Sequence, residues 1–276
     1  MNAARRIWLC ADDYGLTRPI NTAIRELIER GRINATSVMV VTPGFDPAEA
    51  AALLKAAGAR TAIGLHVTLT APFRPREPTY SPVRDGNFLP LGDTLRAAFL
   101  RRLHRPALKS EVTSQLNAFT DAFGRPPDFV DGHQHVQLFP QIRDALLDAV
   151  ADLAPNAWVR QCGRAPTASR RTSGRKALLF DILSVRFRRK ARRRALAINP
   201  AFAGSYDFAG DAGYAELFPE FLDGLPDGGL VMCHPGVVDA ELKRLDTLTT
   251  MRERELAYFQ SDEFPRTLAT KGVALA

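Results

Sequence analysis

At 276 residues, with 46% hydrophobic and 24% charged residues, the chain has the composition of an ordinary globular protein able to bury a substantial core. No apolar run approaches the roughly 18 residues needed to cross a bilayer, and "IWLCA" is too short for a secretory leader, so a cytoplasmic protein is expected. The net charge of +7 is uneven: Arg170 to Arg194 holds eleven Lys/Arg and one acid, Asp181, a local +10 that leaves the remainder at −3.

In chain order, "RIWLCA" reads as a strand that runs into Asp12 and Asp13. "TRPINTAIRELIERG" reads as a helix with Thr17 near its N-cap and Gly31 past its end. "ATSVMVV" is a β-branched strand. "DPAE" then opens a helix, with Asp46 as N-cap, Pro47 at the first position and Glu49 completing a capping box. "TAIGLHVTLT" alternates as a strand, with His66 on the face of Gly64 and Thr68. Residues 74–91, rich in Pro, Gly and Asp, read as a long loop, and helical text follows from Asp93 to Gly124 with a break near Pro106. "PDFVDGHQHV" is a strand with its exit loop, "PQIRDALLDAV" a helix and "AWVRQC" a strand. The basic segment is helical in pattern. "YAELFPEFLDGL" is a helix, "GGLVMCH" a strand, "TLTTMRERELAYFQS" a helix and "GVALA" a closing strand.

About seven strands alternating with helices, and no strong linker, predict an α/β architecture: one irregular or incomplete (β/α) barrel over residues 1–276. In such barrels the chemistry gathers where strands end. His66, His133, His135 and His234 all fall at or near predicted strand ends, as do Asp12 and Asp13. In extended chain Asp131, His133 and His135 of "DGHQH" share one face, a spacing that suits a metal or a hydrogen-bonded cluster. Neutral imidazoles and a carboxylate suit Zn²⁺ and also accept other divalent ions. His104, in "RRLHRP", reads as surface.

Cys10, Cys162 and Cys233 show no paired spacing and read as buried thiols in a reduced setting, Cys233 lying behind the strand face that carries His234. There is no G-x-S-x-G or H-E-x-x-H, and no glycine-rich phosphate loop follows a strand.

Four motifs in order, "ADDYGLTRPINTAI", "GLHVTLT", "DGHQHVQLFP" and "CHPG", resemble the YdjC-like carbohydrate deacetylases, which include chitooligosaccharide deacetylases and hopanoid-associated glycolipid deacetylases. The resemblance runs from Trp8 to about Ser261. It implies an irregular (β/α) barrel related to metal-dependent polysaccharide deacetylases, and removal of acetyl groups from N-acetylated sugars. It further implies Asp13, His66 and His133 as ligands of a divalent metal, Mg²⁺ or Zn²⁺. Asp12 is then the general base, His234 the candidate general acid, and Arg160 a group that keeps Asp12 ionised. Asp131, His135 and Tyr14 are expected around the ligands or against the substrate.

The expected partners are an N-acetylated sugar or glycolipid substrate and a further copy of the chain in a homo-oligomer. The basic segment 170–194, with Leu183, Val185 and Phe187 interleaved, offers peripheral contact with the inner face of a membrane. Nucleic acid is not expected, because aromatics do not accompany the basic run at stacking density. The competing functions are a non-catalytic sugar- or glycolipid-binding protein on the same fold and a metal-dependent amidohydrolase acting on another amide.

Overall fold

The computed structural model describes residues 4–166, 175–206 and 213–276. The first half contains β1 (Arg5–Tyr14), α1 (Arg18–Glu29), β2 (Ala35–Val38), α2 (Pro47–Ala57), β3 (Ala62–Val67), a hairpin of β4 (Val83–Arg84) and β5 (Asn87–Phe88), α3 (Leu91–Phe99) and α4 (Arg105–Phe123). The second half contains β6 (Phe129–Gly132), α5 (Ile142–Leu153), β7 (Trp158–Val159), α6 (Arg175–Arg192), β8 (Phe202–Ala203), α7 (Tyr214–Phe221), β9 (Leu230–Cys233), α8 (Leu242–Leu245), α9 (Thr250–Gln260), α10 (Glu263–Thr270) and β10 (Val273–Leu275). Among the described residues no helix is long and apolar enough to cross a membrane.

The main sheet is parallel, in the order β7-β6-β3-β2-β1-β9-β8, with β10 beside the start of β1. It curls into an incomplete (β/α) barrel. Between its ends, β7 and β8, runs the segment carrying Ile198 and Asn199, which pairs with Val159 and clasps both backbone groups of Gln161.

Alternation along the strands sorts side chains into layers within the curl. Low in the curl, Phe129 stacks on Trp158 at 4.4 Å between ring centroids, and Trp8 lies 6.2 Å from Trp158. Gly64 makes this possible, since a Cβ there would stand 2.5 Å from the Phe129 ring. Two or four residues further along the same strands come Asp12, His66, Asp131 and Arg160, so the aromatic layer is the floor beneath the polar one.

Several elements exceed the sequence expectations. β1 continues through Tyr14, and the loop predicted over 74–91 contains the β4–β5 hairpin. The two-residue β8 carries no readable alternation, and α10 escapes detection because of Pro265, which is tolerated in a first turn. The capping box is only half formed. Asp46 accepts from the Glu49 backbone N–H at 2.9 Å, but the Glu49 carboxylate turns inward to Tyr14, Asn21 and Arg25. Residues 170–174 of the basic segment lie outside the described residues.

Candidate active site

The acidic pair at the end of β1 depends on a bulge. Between Ala11 and Tyr14 the strand advances three residues while β2 advances two, from Thr36 to Val38. The extra residue is Asp13, at φ 70°, a left-handed conformation that aspartate tolerates better than most residues. In regular strand Asp12 and Asp13 would face opposite sides; with the bulge both line one cleft. Gly15 completes the turn at φ 97°, where a Cβ would lie 2.6 Å from the Met39 carbonyl oxygen.

Asp13 Oδ1 faces two imidazoles, His133 Nδ1 at 3.1 Å and His66 Nε2 at 3.4 Å. Its other oxygen, Oδ2, accepts from Arg252 Nη2 at 2.6 Å, and the same nitrogen reaches Asp246 Oδ2 at 2.6 Å. Burial pushes the Asp13 carboxyl up. The Arg252 guanidinium at Oδ2 is the largest opposing influence, and the carboxyl is held well below the usual carboxylate range.

Asp12 sits in a second set of contacts. Arg160 Nη2 donates to Asp12 Oδ1 at 2.8 Å and Oδ2 at 2.9 Å, and makes a short contact to Asp131 Oδ2. Ser37 Oγ donates to Asp12 Oδ1 at 3.2 Å. Burial again raises the carboxyl, but Arg160, His66 and His234 together bring it below its ordinary value. His234 Nε2 lies 4.0 Å from Asp12 Oδ2, and burial pushes its imidazole down to about 4, so it is neutral at neutral pH.

Asp131 connects the two sets. Its Oδ1 lies 2.6 Å from His66 Nδ1 and its Oδ2 contacts Arg160. A carboxylate only accepts, so His66 carries its proton on Nδ1 and presents the Nε2 lone pair toward Asp13. Two acceptors 3.4 Å apart in a buried site repel unless a cation lies between them. The donor set Asp13, His66 and His133, all buried, has its ligating atoms within 4.8 Å of one another and fits a divalent metal. Cys10, Asp12 and Asp131 also cluster. There Arg160 already supplies the positive charge, and burial pushes the Cys10 thiol well above its ordinary value, so that cluster does not suit a metal.

Two sequence expectations need correction. Tyr14 does not line the cleft: beyond the bulge its side chain is fully buried on the other side, bonded to the Glu49 carbonyl at 2.9 Å and to Arg25 at 2.8 Å. The shared face expected for Asp131, His133 and His135 does not exist either, because β6 ends at Gly132. The chain turns through a 3₁₀ segment, His133–Leu138, with Gln134 and His135 at positive φ. His133 therefore reaches Asp13, whereas His135 packs edge-on against Phe202 and against Phe180 of the cleft wall.

No sequence pattern points to Arg252, Ser37, Asp246 or Glu255. Arg252 and Glu255 sit in the helical segment "MRERELAYF", whose charges give no sign of burial, yet both are fully buried. Glu255 accepts from the His234 backbone N–H and from Tyr206 Oη, each at 2.5 Å, and burial raises its carboxyl to about 7. No periodicity signal distinguishes these residues from an exposed ion-pair ladder.

The cleft is about 340 Å³. Asp12, Asp13, His66, His133 and His234 line one part of it, and Leu91, Leu95, Phe139, Leu179, Phe180 and Leu248 line another. A polar, charge-bearing floor beneath apolar walls accommodates a small polar group carried on a larger molecule.

Comparisons with known proteins place the chain among relatives. A chitooligosaccharide deacetylase of Citrobacter koseri is 30% identical over 270 residues, covering 96% of this chain and 94% of the relative. A carbohydrate deacetylase of Geobacillus stearothermophilus is 28% identical over 268 residues, covering 96% and 93%. The solved structure of a candidate cellobiose-phosphate cleavage protein from Enterococcus faecalis V583 superposes with a TM-score of 0.76 at 20% identity, covering 99% of this chain and 97% of that one, and so shares the fold. The family model described as YdjC-like protein matches residues 6–270, nearly the full length, and the chain belongs to the YdjC-like protein family.

Proposed function

We propose that residues 1–276 form one domain that hydrolyses the acetamido group of an N-acetylated sugar, a chitooligosaccharide or an N-acetylglucosaminyl glycolipid, with a divalent metal. The observation that carries this reading is the joining, through Asp131, of a His-His-Asp donor set to an ionised, arginine-held Asp12 at the floor of one cleft. The homologues named above as deacetylases of carbohydrates support the substrate class.

Asp13, His66 and His133 would hold the metal, and a donor set with two imidazoles would favour Zn²⁺ over Mg²⁺. When bound, the metal polarises the acetyl carbonyl and lowers the pKa of a water toward about 7. Asp12, kept ionised by Arg160, takes a proton from the attacking water, whose oxygen bonds to the acetyl carbon. The C–N bond then breaks, and the departing nitrogen takes a proton from His234. Because burial keeps His234 neutral at rest, the proton it passes to the nitrogen is the one Asp12 took from the water, relayed from Asp12 Oδ2 to His234 Nε2 4.0 Å away. Asp131 and Arg252 are positioning residues: one sets the His66 tautomer, the other holds Asp13 Oδ2 so that Oδ1 faces the imidazoles. Acetate and a free amino sugar are the products.

The test is acetate release from N-acetylated chitooligosaccharides and from an N-acetylglucosaminyl glycolipid, before and after chelation, with Asp13→Ala as control. Activity that falls at least a hundredfold on chelation, returns with Zn²⁺ or Mg²⁺, and is absent from the variant is the expected result. Sugar binding without acetate release in metal-loaded protein identifies the non-catalytic alternative. Activity untouched by metal removal refutes the mechanism.

A further inference from the structure

Beside the cleft, two helices carry apolar side chains into solvent. On α6, Leu178, Ile182 and Val185 recur at helical spacing and each is more than half exposed, at 57%, 58% and 58%, whereas Leu183 and Phe187, expected from the sequence at that surface, are buried in the core. Their neighbours Leu179 and Phe180 belong to the cleft wall, so the stripe starts at the cleft and leads away from it. On α3, Leu91 and Leu95 line the cleft while Phe99 and Leu100, one turn further, are about half exposed. Soluble proteins scatter exposed aliphatics singly; a run of them at one cleft mouth marks a surface that meets something apolar.

The same surface is basic. Past Val185 the exposed side of α6 continues with Arg186, Arg189, Arg192 and Arg193. Among the described residues none of these four pairs with a carboxylate, whereas Lys190 and Arg194 are taken by Asp144 and Asp148. The acids of the two helices are themselves paired, Asp181 with Arg164 and Asp93 with Arg84. Arg101, just beyond α3, belongs to the same cluster: buried Arg143 is held below the ordinary arginine range by burial and by the charges of Arg186, Arg101 and Arg189. Leu91 and Leu95 of α3 and Leu179 and Phe180 of α6 line the same cleft, so the two helices stand at one cleft mouth.

We infer that this α3–α6 rim docks the protein on an anionic lipid bilayer, the aliphatic stripe entering the headgroup boundary and the arginines pairing with lipid phosphates, with the cleft mouth at the membrane plane. Aliphatic side chains gain by leaving water for the boundary, whereas a polyanion such as RNA offers them nothing, and uncompensated arginines favour an anionic over a neutral surface. The docking stands on the rim alone; its consequence for catalysis, that the acetylated sugar is met at the membrane, rests on the deacetylase reading.

The test is sedimentation of the full chain with sucrose-loaded vesicles, of phosphatidylcholine alone or with roughly a third phosphatidylglycerol. Parent protein is expected on the anionic vesicles, in decreasing amount as salt rises. Each arginine lost lowers the partition coefficient roughly fivefold, so Arg189→Ser with Arg192→Ser lowers it by about 25-fold. Ile182→Ser with Val185→Ser lowers it roughly tenfold or more. Both pairs lie outside the catalytic cleft and release acetate from a soluble N-acetylated disaccharide at the parent rate, which also reports that they fold. That soluble assay tests the deacetylase reading separately, so either idea can fail without the other. Parent protein that stays in the supernatant at low salt, equal binding to neutral vesicles, or full binding by both pairs overturns the proposal. So does a dimer in sedimentation velocity that Ile182→Ser with Val185→Ser abolishes, since a second copy then covers the stripe.

Discussion

Replacing Asp131 by Asn tests the link between the proposed metal ligands and the base. In the parent, Oδ1 accepts from His66 Nδ1 at 2.6 Å and Oδ2 accepts from Arg160. An amide cannot serve both. With its oxygen toward His66, its NH₂ points at the Arg160 guanidinium, donor against donor in a fully buried site. Flipped, it donates to His66 Nδ1, moves the imidazole proton to Nε2 and removes the lone pair that faces Asp13. Either arrangement damages the site, and loss of such a partner typically weakens metal binding about 10–100-fold, or about 1.4–2.7 kcal/mol. Folding loses up to about 3 kcal/mol as well, since Arg160 keeps Asp12 but loses one of two buried carboxylates. Isothermal titration of metal-free protein with Zn²⁺, beside urea unfolding of the same samples, separates the two effects. Affinity within about twofold of the parent would refute the assignment of His66 Nε2 as a ligand atom.

Three further predictions follow from the same contacts. Arg252→Met leaves buried Asp13 and part-buried Asp246 without their shared cation, and the urea midpoint should fall by the equivalent of about 3–5 kcal/mol; a loss below about 1 kcal/mol would count against a charged Asp13 in the metal-free protein. Glu255, with its folded pKa raised to about 7 against an ordinary 4.5, contributes stability that is complete below the unfolded value and is lost as pH rises through about 7. Parent protein should therefore lose up to about 3 kcal/mol between about pH 4.5 and 8 relative to Glu255→Gln; unfolding curves of the two that stay parallel across this range rule the raised pKa out. Gly64→Ala drives a methyl to 2.5 Å from Phe129 and should cost about 1–3 kcal/mol in thermal unfolding, with the parent's melting temperature retained if the aromatic floor yields freely.

The alternation of strands and helices, the strand-end placement of His66, His133 and His234, and the Asp12–Asp13 pair were all legible along the chain. Each is a local pattern of period two or of three to four residues, and local patterns survive without knowledge of the fold. What neighbouring residues cannot show is which way a side chain points once the backbone leaves its regular course. A one-residue bulge at Asp13 brings both aspartates into one cleft and sends Tyr14 away from it to Glu49. Left-handed backbone at Gln134 and at His135 itself turns the two histidines apart. Partners brought in from distant positions are equally silent in the sequence: Arg252 meets Asp13 across 239 residues, and Arg160 meets Asp12 across 148. Arg160 is expected only through the family resemblance, in which "WVRQC" matches a basic position, whereas Arg252 reads as one charge among many on a helix. The chain's own order thus determined which chemical groups are available and near which strand ends. The tertiary structure decided which atoms of those groups face one another, because in a buried site every charge needs a specific counter-charge, and that can come from anywhere in the chain.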